Sequence, residues 1–195
     1  MPRFGPEGNA RLTATAGLIL LVLSGAELLT LLLGLQRFLS WHVFIGLVLL
    51  PPIALKLTTT GWRFLRYYTR DAAYVRSGPP MILMRLLAPF LVLFTVLLFA
   101  SGVAMGFTHG TPLHLARRVH GPAALLWSIT LGIHVLAYLP RAFRHVSRRA
   151  VPVAATLAAL AAGVVVAVAA LPAMHDWTRL HNGFDDQRGS QISGR

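Results

Sequence analysis

Five long apolar stretches limit how this chain can fold. Each is about 20 residues long, the length that an α-helix needs to cross a hydrocarbon core of about 30 Å, and short polar segments separate them. Because backbone polar groups inside a bilayer must be paired within the segment, each stretch predicts a helix. The predicted spans are Leu12–Leu35, Phe38–Leu57, Leu83–Phe107, Val119–Leu139 and Val151–Leu171.

The composition favours the same class. Hydrophobic residues make up 55% of the 195 residues and charged residues 12%, which is more apolar surface than a soluble domain of this size can bury. The chain has no cysteine, which excludes disulfides, iron–sulfur clusters and thiolate ligands. We therefore predict an all-α integral membrane protein with five transmembrane helices.

The positive charges predict an orientation. The net charge is +12, and 12 of the 18 lysines and arginines lie on the side of the N-terminus if all five stretches cross. The positive-inside rule then makes residues 1–11 a cytoplasmic N-terminus and residues 172–195 an external flexible tail, in a multi-pass protein of the bacterial inner (plasma) membrane. The arginines lie in the short loops between the spans, and this placement indicates the lipid bilayer as partner, not nucleic acid.

One feature of the sequence indicates close helix packing, and another indicates contact with the membrane surface. In the last span Ala155, Ala159, Gly163 and Ala167 recur every four residues, a face on which another helix can approach closely. The connection after the second span carries Trp62, Tyr67, Tyr68 and Tyr74 among arginines, which is typical of a segment on anionic headgroups. A docking surface for a partner protein is the alternative.

Three histidines within the spans are the candidate functional residues. His42 and His120 are expected at similar depths near the outer face, on different helices, while His134 lies about 21 Å further along the helix of His120. Two imidazoles that face each other in a helix bundle can hold one haem iron for electron transfer. Interfacial hydrogen bonding is the alternative for both.

Glycines and one carboxylate accompany these histidines. Gly46 follows His42 by one turn, and Gly102 and Gly106 end the third span, so flat room for a porphyrin is expected there. Glu27 is the acidic residue within the first span. It is predicted either to accept the second ring N–H of a ligating histidine, to carry a proton, or to lie protonated against Ser24 or Thr30.

Histidines at this spacing resemble the di-haem transmembrane cytochromes b, and the chain is similar to small cytochrome b561-like membrane proteins and to cytochrome b subunits of bacterial dehydrogenases. The resemblance covers residues 12–139 and implies a cytochrome b-like bundle of four helices. It rests on His42, His120, His134 and the glycines. It departs at Lys56, where a second haem pair would need histidine.

The resemblance implies one haem b between His42 and His120. His134 is left to a second haem, for which Lys56 or Met84 are the available partners. The expected function is electron transfer between membrane quinol and a redox partner, as a subunit of a membrane oxidoreductase if any enzyme is involved. Two other readings remain open: a non-redox membrane anchor or assembly protein, and a small transporter or ion pathway that uses Glu27 and His134.

Overall fold

The computed structural model describes residues 5–78, 82–108, 111–146 and 153–172. Helices dominate these residues and no strand occurs among them, so the all-helical prediction is confirmed. The helices are α1 (Pro6–Leu32), α2 (Leu35–Tyr68), α3 (Ala72–Arg76), α4 (Ile82–Phe107), α5 (Thr111–Val146) and α6 (Val153–Ala169). Residues 1–4, the tail from residue 173, and the side chains of His109, His145, His175 and His181 lie outside the described part.

Four helices are long and apolar enough to cross a membrane, namely α1, α2, α4 and the part of α5 up to Tyr138. Large apolar side chains cover their outer surfaces: Leu32 is 83% exposed, Ile82 75% and Phe107 77%. Such surface is costly in water and costs nothing against lipid tails. The bilayer is therefore the environment that these helices fit.

The helices form two antiparallel hairpins. α1 packs along α2 after a tight turn at Gly34, whose φ of 104° is a conformation that glycine adopts without strain. α4 packs along α5, and the buried Trp127 indole donates a hydrogen bond of 3.0 Å to Thr95 across them. Contacts between the hairpins are sparse and run mainly from α2 to α4.

The prolines of α2 do not interrupt it as proline usually does. Helical dihedral angles continue through Pro51 and Pro52, and the departure occurs at Phe38 (φ −111°, ψ 17°) near the start of the helix. The helix is therefore longer than the second predicted span at both ends and runs from Leu35 to Tyr68. Proline has no N–H to donate, so the carbonyl of Val48, four residues before Pro52, loses its usual helical donor.

α6 packs on α2 at this same carbonyl. Gly163 lies so close to the backbone of Val48 that a Cβ at residue 163 would overlap it. The close approach supports the predicted small-residue face, but its register differs: Thr156, Gly163 and Ala167 are buried, Ala159 is half-buried and Ala155 is exposed. With 17 residues, α6 is shorter than the other apolar helices.

Candidate functional site

The structure brings two of the three candidate histidines together. His42, near the start of α2, and His120, on the third turn of α5, have ring centres 6.3 Å apart and ring planes at 88°. Each ring is partly buried. The pair joins the two hairpins at the end of the bundle where α1 turns into α2, so the expectation of similar depths on different helices agrees with the geometry.

Residues of α1 orient the side chain of His42. Its Nδ1 lies 2.9 Å from Oε1 of Glu27 and 3.3 Å from Oγ1 of Thr30. The Thr30 hydroxyl donates to the carbonyl of Glu27 at 2.6 Å, so its oxygen is left to accept. An ionised carboxylate can only accept as well. Beside an ionised Glu27, the proton of a neutral His42 ring is therefore on Nδ1.

Residues of α4 orient the side chain of His120. Its Nδ1 lies 3.1 Å from the carbonyl oxygen of Leu98 and 3.2 Å from Oγ of Ser101. The Ser101 hydroxyl donates to the carbonyls of Leu97 and Leu98, and a carbonyl can only accept. His120 therefore also carries its proton on Nδ1.

Both rings consequently keep Nε2 as an unprotonated nitrogen, the form that binds a metal ion. Among the described residues no hydrogen-bond partner occupies either Nε2. With metal–nitrogen bonds of about 2.0 Å and ring centres about 1.1 Å behind each nitrogen, two imidazoles on opposite sides of one iron have centres about 6 Å apart. The observed 6.3 Å is close to that separation, and it is also an ordinary distance for two rings in edge-to-face contact, whose centres lie about 4.5–7 Å apart.

The three candidate glycines differ in their surroundings. A Cβ at Gly102 would lie 3.1 Å from Cε1 of His120, so a larger residue there would require the ring to move by a few tenths of an ångström. A Cβ at Gly46 would lie 3.5 Å from Oε1 of Glu27, an ordinary contact distance. At Gly106 a Cβ would meet nothing within 4 Å. Gly102 therefore contributes to the position of His120, and Gly106 lies on open surface.

His134 lies apart from this pair. Its ring contacts Tyr138 at 4.9 Å between centres, and it is partly buried. Lys56, considered as its partner, donates through its ammonium to the carbonyl of Thr13 on α1 at 2.7 Å and reaches it over Gly17. Lys56 thus ties α1 to α2.

Two partners in this site were not singled out from the sequence. Ser101 and the carbonyl of Leu98 hold His120, and no residue pattern marks a backbone carbonyl as a partner. Ser101 could have been found as the polar residue next to Gly102 in an apolar helix. Thr30, which the sequence predicts as one partner of Glu27, contacts both the Glu27 backbone and His42.

No group of three or more histidine, cysteine, aspartate or glutamate side chains is arranged to hold a metal ion within the described part of the chain. A haem iron draws four of its ligands from the porphyrin and needs only two from the protein. Comparison with protein-family models, with curated proteins and with solved structures finds no match. The histidine pair is therefore the feature of the described residues that indicates a function.

Proposed function

We propose that the protein is a membrane cytochrome b that holds one haem b between His42 and His120. The observation that carries this proposal is the separation of 6.3 Å between two rings on different helices, each with its Nδ1 held by an acceptor. Sparse contact between the two hairpins, which the ring pair bridges, further favours a group between them. The haem would supply one-electron chemistry.

The chain's own residues would perform three tasks in this proposal. His42 and His120 would hold the iron, and Glu27 and Leu98 would fix the orientation of the rings and raise their basicity. Apolar helices and lipid keep water from the site, which tunes its redox potential. The protein would accept electrons from quinol in the bilayer and pass them to a redox partner at the nearer membrane face.

The experiment is a reduced-minus-oxidised absorption spectrum of the purified protein, produced with an adequate haem supply. Wild type is expected to show b-type bands, and His42→Ala and His120→Ala are each expected to abolish them because six-coordinate iron loses one of two protein bonds. The controls are His134→Ala, which lies about 21 Å along α5 from His120, and His114→Ala, which is exposed.

The results separate function from ligand assignment. A wild-type protein without haem would refute the cytochrome. Haem that survives both the His42 and the His120 substitutions would refute the ligand pair, and a spectrum lost only with His134→Ala would move the site to the other end of α5. If His134→Ala removes a second, spectrally distinct component, the protein binds two haems.

A further inference from the structure

The far end of α2 carries a basic and aromatic surface that the haem proposal does not use. Trp41 and Trp62 lie 21 positions apart on α2, about 31 Å along the axis, which is one hydrocarbon thickness. Both are exposed, as tryptophans at the two membrane interfaces are. Tyr67 and Tyr68 then lie about 8 Å beyond Trp62, at the level of the lipid headgroups.

An open hollow of about 610 Å³ lies at this level. It forms where α2 ends, the chain reverses at Arg70 and α3 packs back on α2. Arg70 adopts a φ of 60°, which is uncommon for a residue with a side chain. The residues that line the hollow are Tyr67, Tyr68, Arg70, Ala72, Val75 and Arg76.

The charges around the hollow are unbalanced. Asp71 is engaged by Arg66 at 3.5 Å and by the backbone N–H of Ala73 at 3.0 Å. Arg70 and Arg76, which line the hollow, form no ion pair with any residue in the described part of the chain, and both are exposed. The guanidinium of Arg85 on α4 lies 5.8 Å from the ring of Tyr67, which adds a third positive charge to the rim.

We propose that this hollow binds the headgroup of an anionic phospholipid in the leaflet where α2 ends. Guanidinium groups bind phosphate through paired N–H donors, the tyrosines supply hydroxyl groups at the depth of the headgroups, and Val75 and Ala72 present apolar surface. A lipid is the occupant that the position favours, since the hollow lies at the end of a membrane-spanning segment and is open.

The test is a titration of the purified full-length protein in neutral detergent with phosphatidylglycerol or phosphatidylcholine of identical acyl chains, with bound lipid counted by native mass spectrometry. Phosphatidylglycerol is expected to bind at least tenfold more tightly. R70Q/R76Q should weaken its binding about thirtyfold, since each basic residue near the headgroups contributes about fivefold. R117Q/R118Q, which removes the same charge at the other end, and R63Q, which lies outside the hollow, should change it less than threefold.

Three results would overturn the proposal. Equal binding of the two lipids would remove the role of charge, and equal weakening by R70Q/R76Q and R117Q/R118Q would show an effect of net charge alone. Glycerol phosphate that competes as well as the lipid would identify a site for free phosphate. If R70Q/R76Q fails to fold by circular dichroism, R70Q and R76Q are tested singly, each with an expected loss of about fivefold.

Discussion

The two histidines of the site have acceptors of different kinds. His42 is held by the carboxylate of Glu27, whereas His120 is held by a carbonyl and a hydroxyl oxygen. A carboxylate partner makes the imidazole a stronger electron donor and favours the more positive ferric state. In the proposed cytochrome, Glu27 therefore lowers the redox potential through His42. The neutral acceptors of His120 chiefly orient its ring.

Glu27→Gln is expected to retain the b-type spectrum and to raise the midpoint potential. A glutamine keeps an acceptor oxygen but loses the negative charge, and a tenfold weaker preference for ferric haem corresponds to about 59 mV. A potentiometric titration monitored by the absorption bands measures it. Glu7→Gln, an exposed carboxylate on the same helix, is the matched control and should leave the potential unchanged. A potential that moves equally in both variants would contradict the role of Glu27.

Gly102→Ala is expected to weaken or shift the haem spectrum, because the new Cβ would lie 3.1 Å from Cε1 of His120 and would push the ring from its position. Gly106→Ala, one turn further along α4, places its Cβ in open space and should have a wild-type spectrum. The measurement is the haem content per protein. Identical spectra for the two variants would show that the close contact has no effect on His120.

For individual residues, the sequence predicts the depth of a side chain in the membrane better than it predicts its hydrogen-bond partners. Membrane depth and helix direction place His42 and His120 at the same level, because a span has a fixed length, and their rings are adjacent in the structure. The hydrogen bond to Leu98 could not be predicted, because it depends on how α5 is rotated against α4. Lys56 was likewise undetermined, since its long side chain can reach either a carbonyl or the headgroups.

Among the helices, α6 depends on one close contact with α2. Gly163→Ala is expected to lower the stability of the protein by about 1–3 kcal/mol, because its Cβ would overlap the backbone of Val48 and a backbone cannot move aside cheaply. Thermal unfolding in detergent, followed by circular dichroism, measures this. In Gly25→Ala, which meets nothing within 4 Å, stability should be unchanged or slightly higher. Equal melting temperatures in the two variants would contradict the packing of α6 on Val48.

The helix boundaries show where sequence reasoning fails at this level. Apolar length predicts that α2 crosses the membrane, but α2 continues to Tyr68, through a polar stretch whose helix is supported by α3. A proline within a helix usually kinks it, yet both Pro51 and Pro52 keep helical dihedral angles. The carbonyl freed by Pro52 faces Gly163 of α6. The effect of the proline on the helix therefore depends on packing between helices, which the local sequence does not reveal.

For the whole molecule, the sparse contact between the hairpins gives the proposed haem a structural role. A group that binds only the folded state stabilises it by mass action, and this one would tie α2 to α5. Protein produced under haem depletion is expected to unfold at a lower temperature than the haem-loaded form. His42→Ala should remove that difference, while His134→Ala should preserve it. Equal melting temperatures with and without haem would show that the hairpins are held by other contacts.

The orientation of the chain depends on whether α6 crosses the membrane. Its 17 residues span about 25 Å, slightly less than the hydrocarbon core. However, Gly163 near its centre contacts Val48, which lies about 10 Å from Trp41 and about 21 Å from Trp62 along α2. A helix whose centre lies between the levels of the two tryptophans and that buries Thr156, Gly163 and Ala167 along its length is expected to cross.

With α6 across the membrane, the arginine distribution predicts a cytoplasmic N-terminus and an external C-terminus. Alkaline phosphatase, which is active only outside the cytoplasm, is expected to be active when fused after the last residue and inactive when fused within the loop between α2 and α4. Green fluorescent protein at the same two points should give the opposite pattern. A C-terminal fusion that fluoresces would show that α6 does not cross. If the pattern is reversed at both points, the arginine-rich side faces outwards and the orientation is wrong.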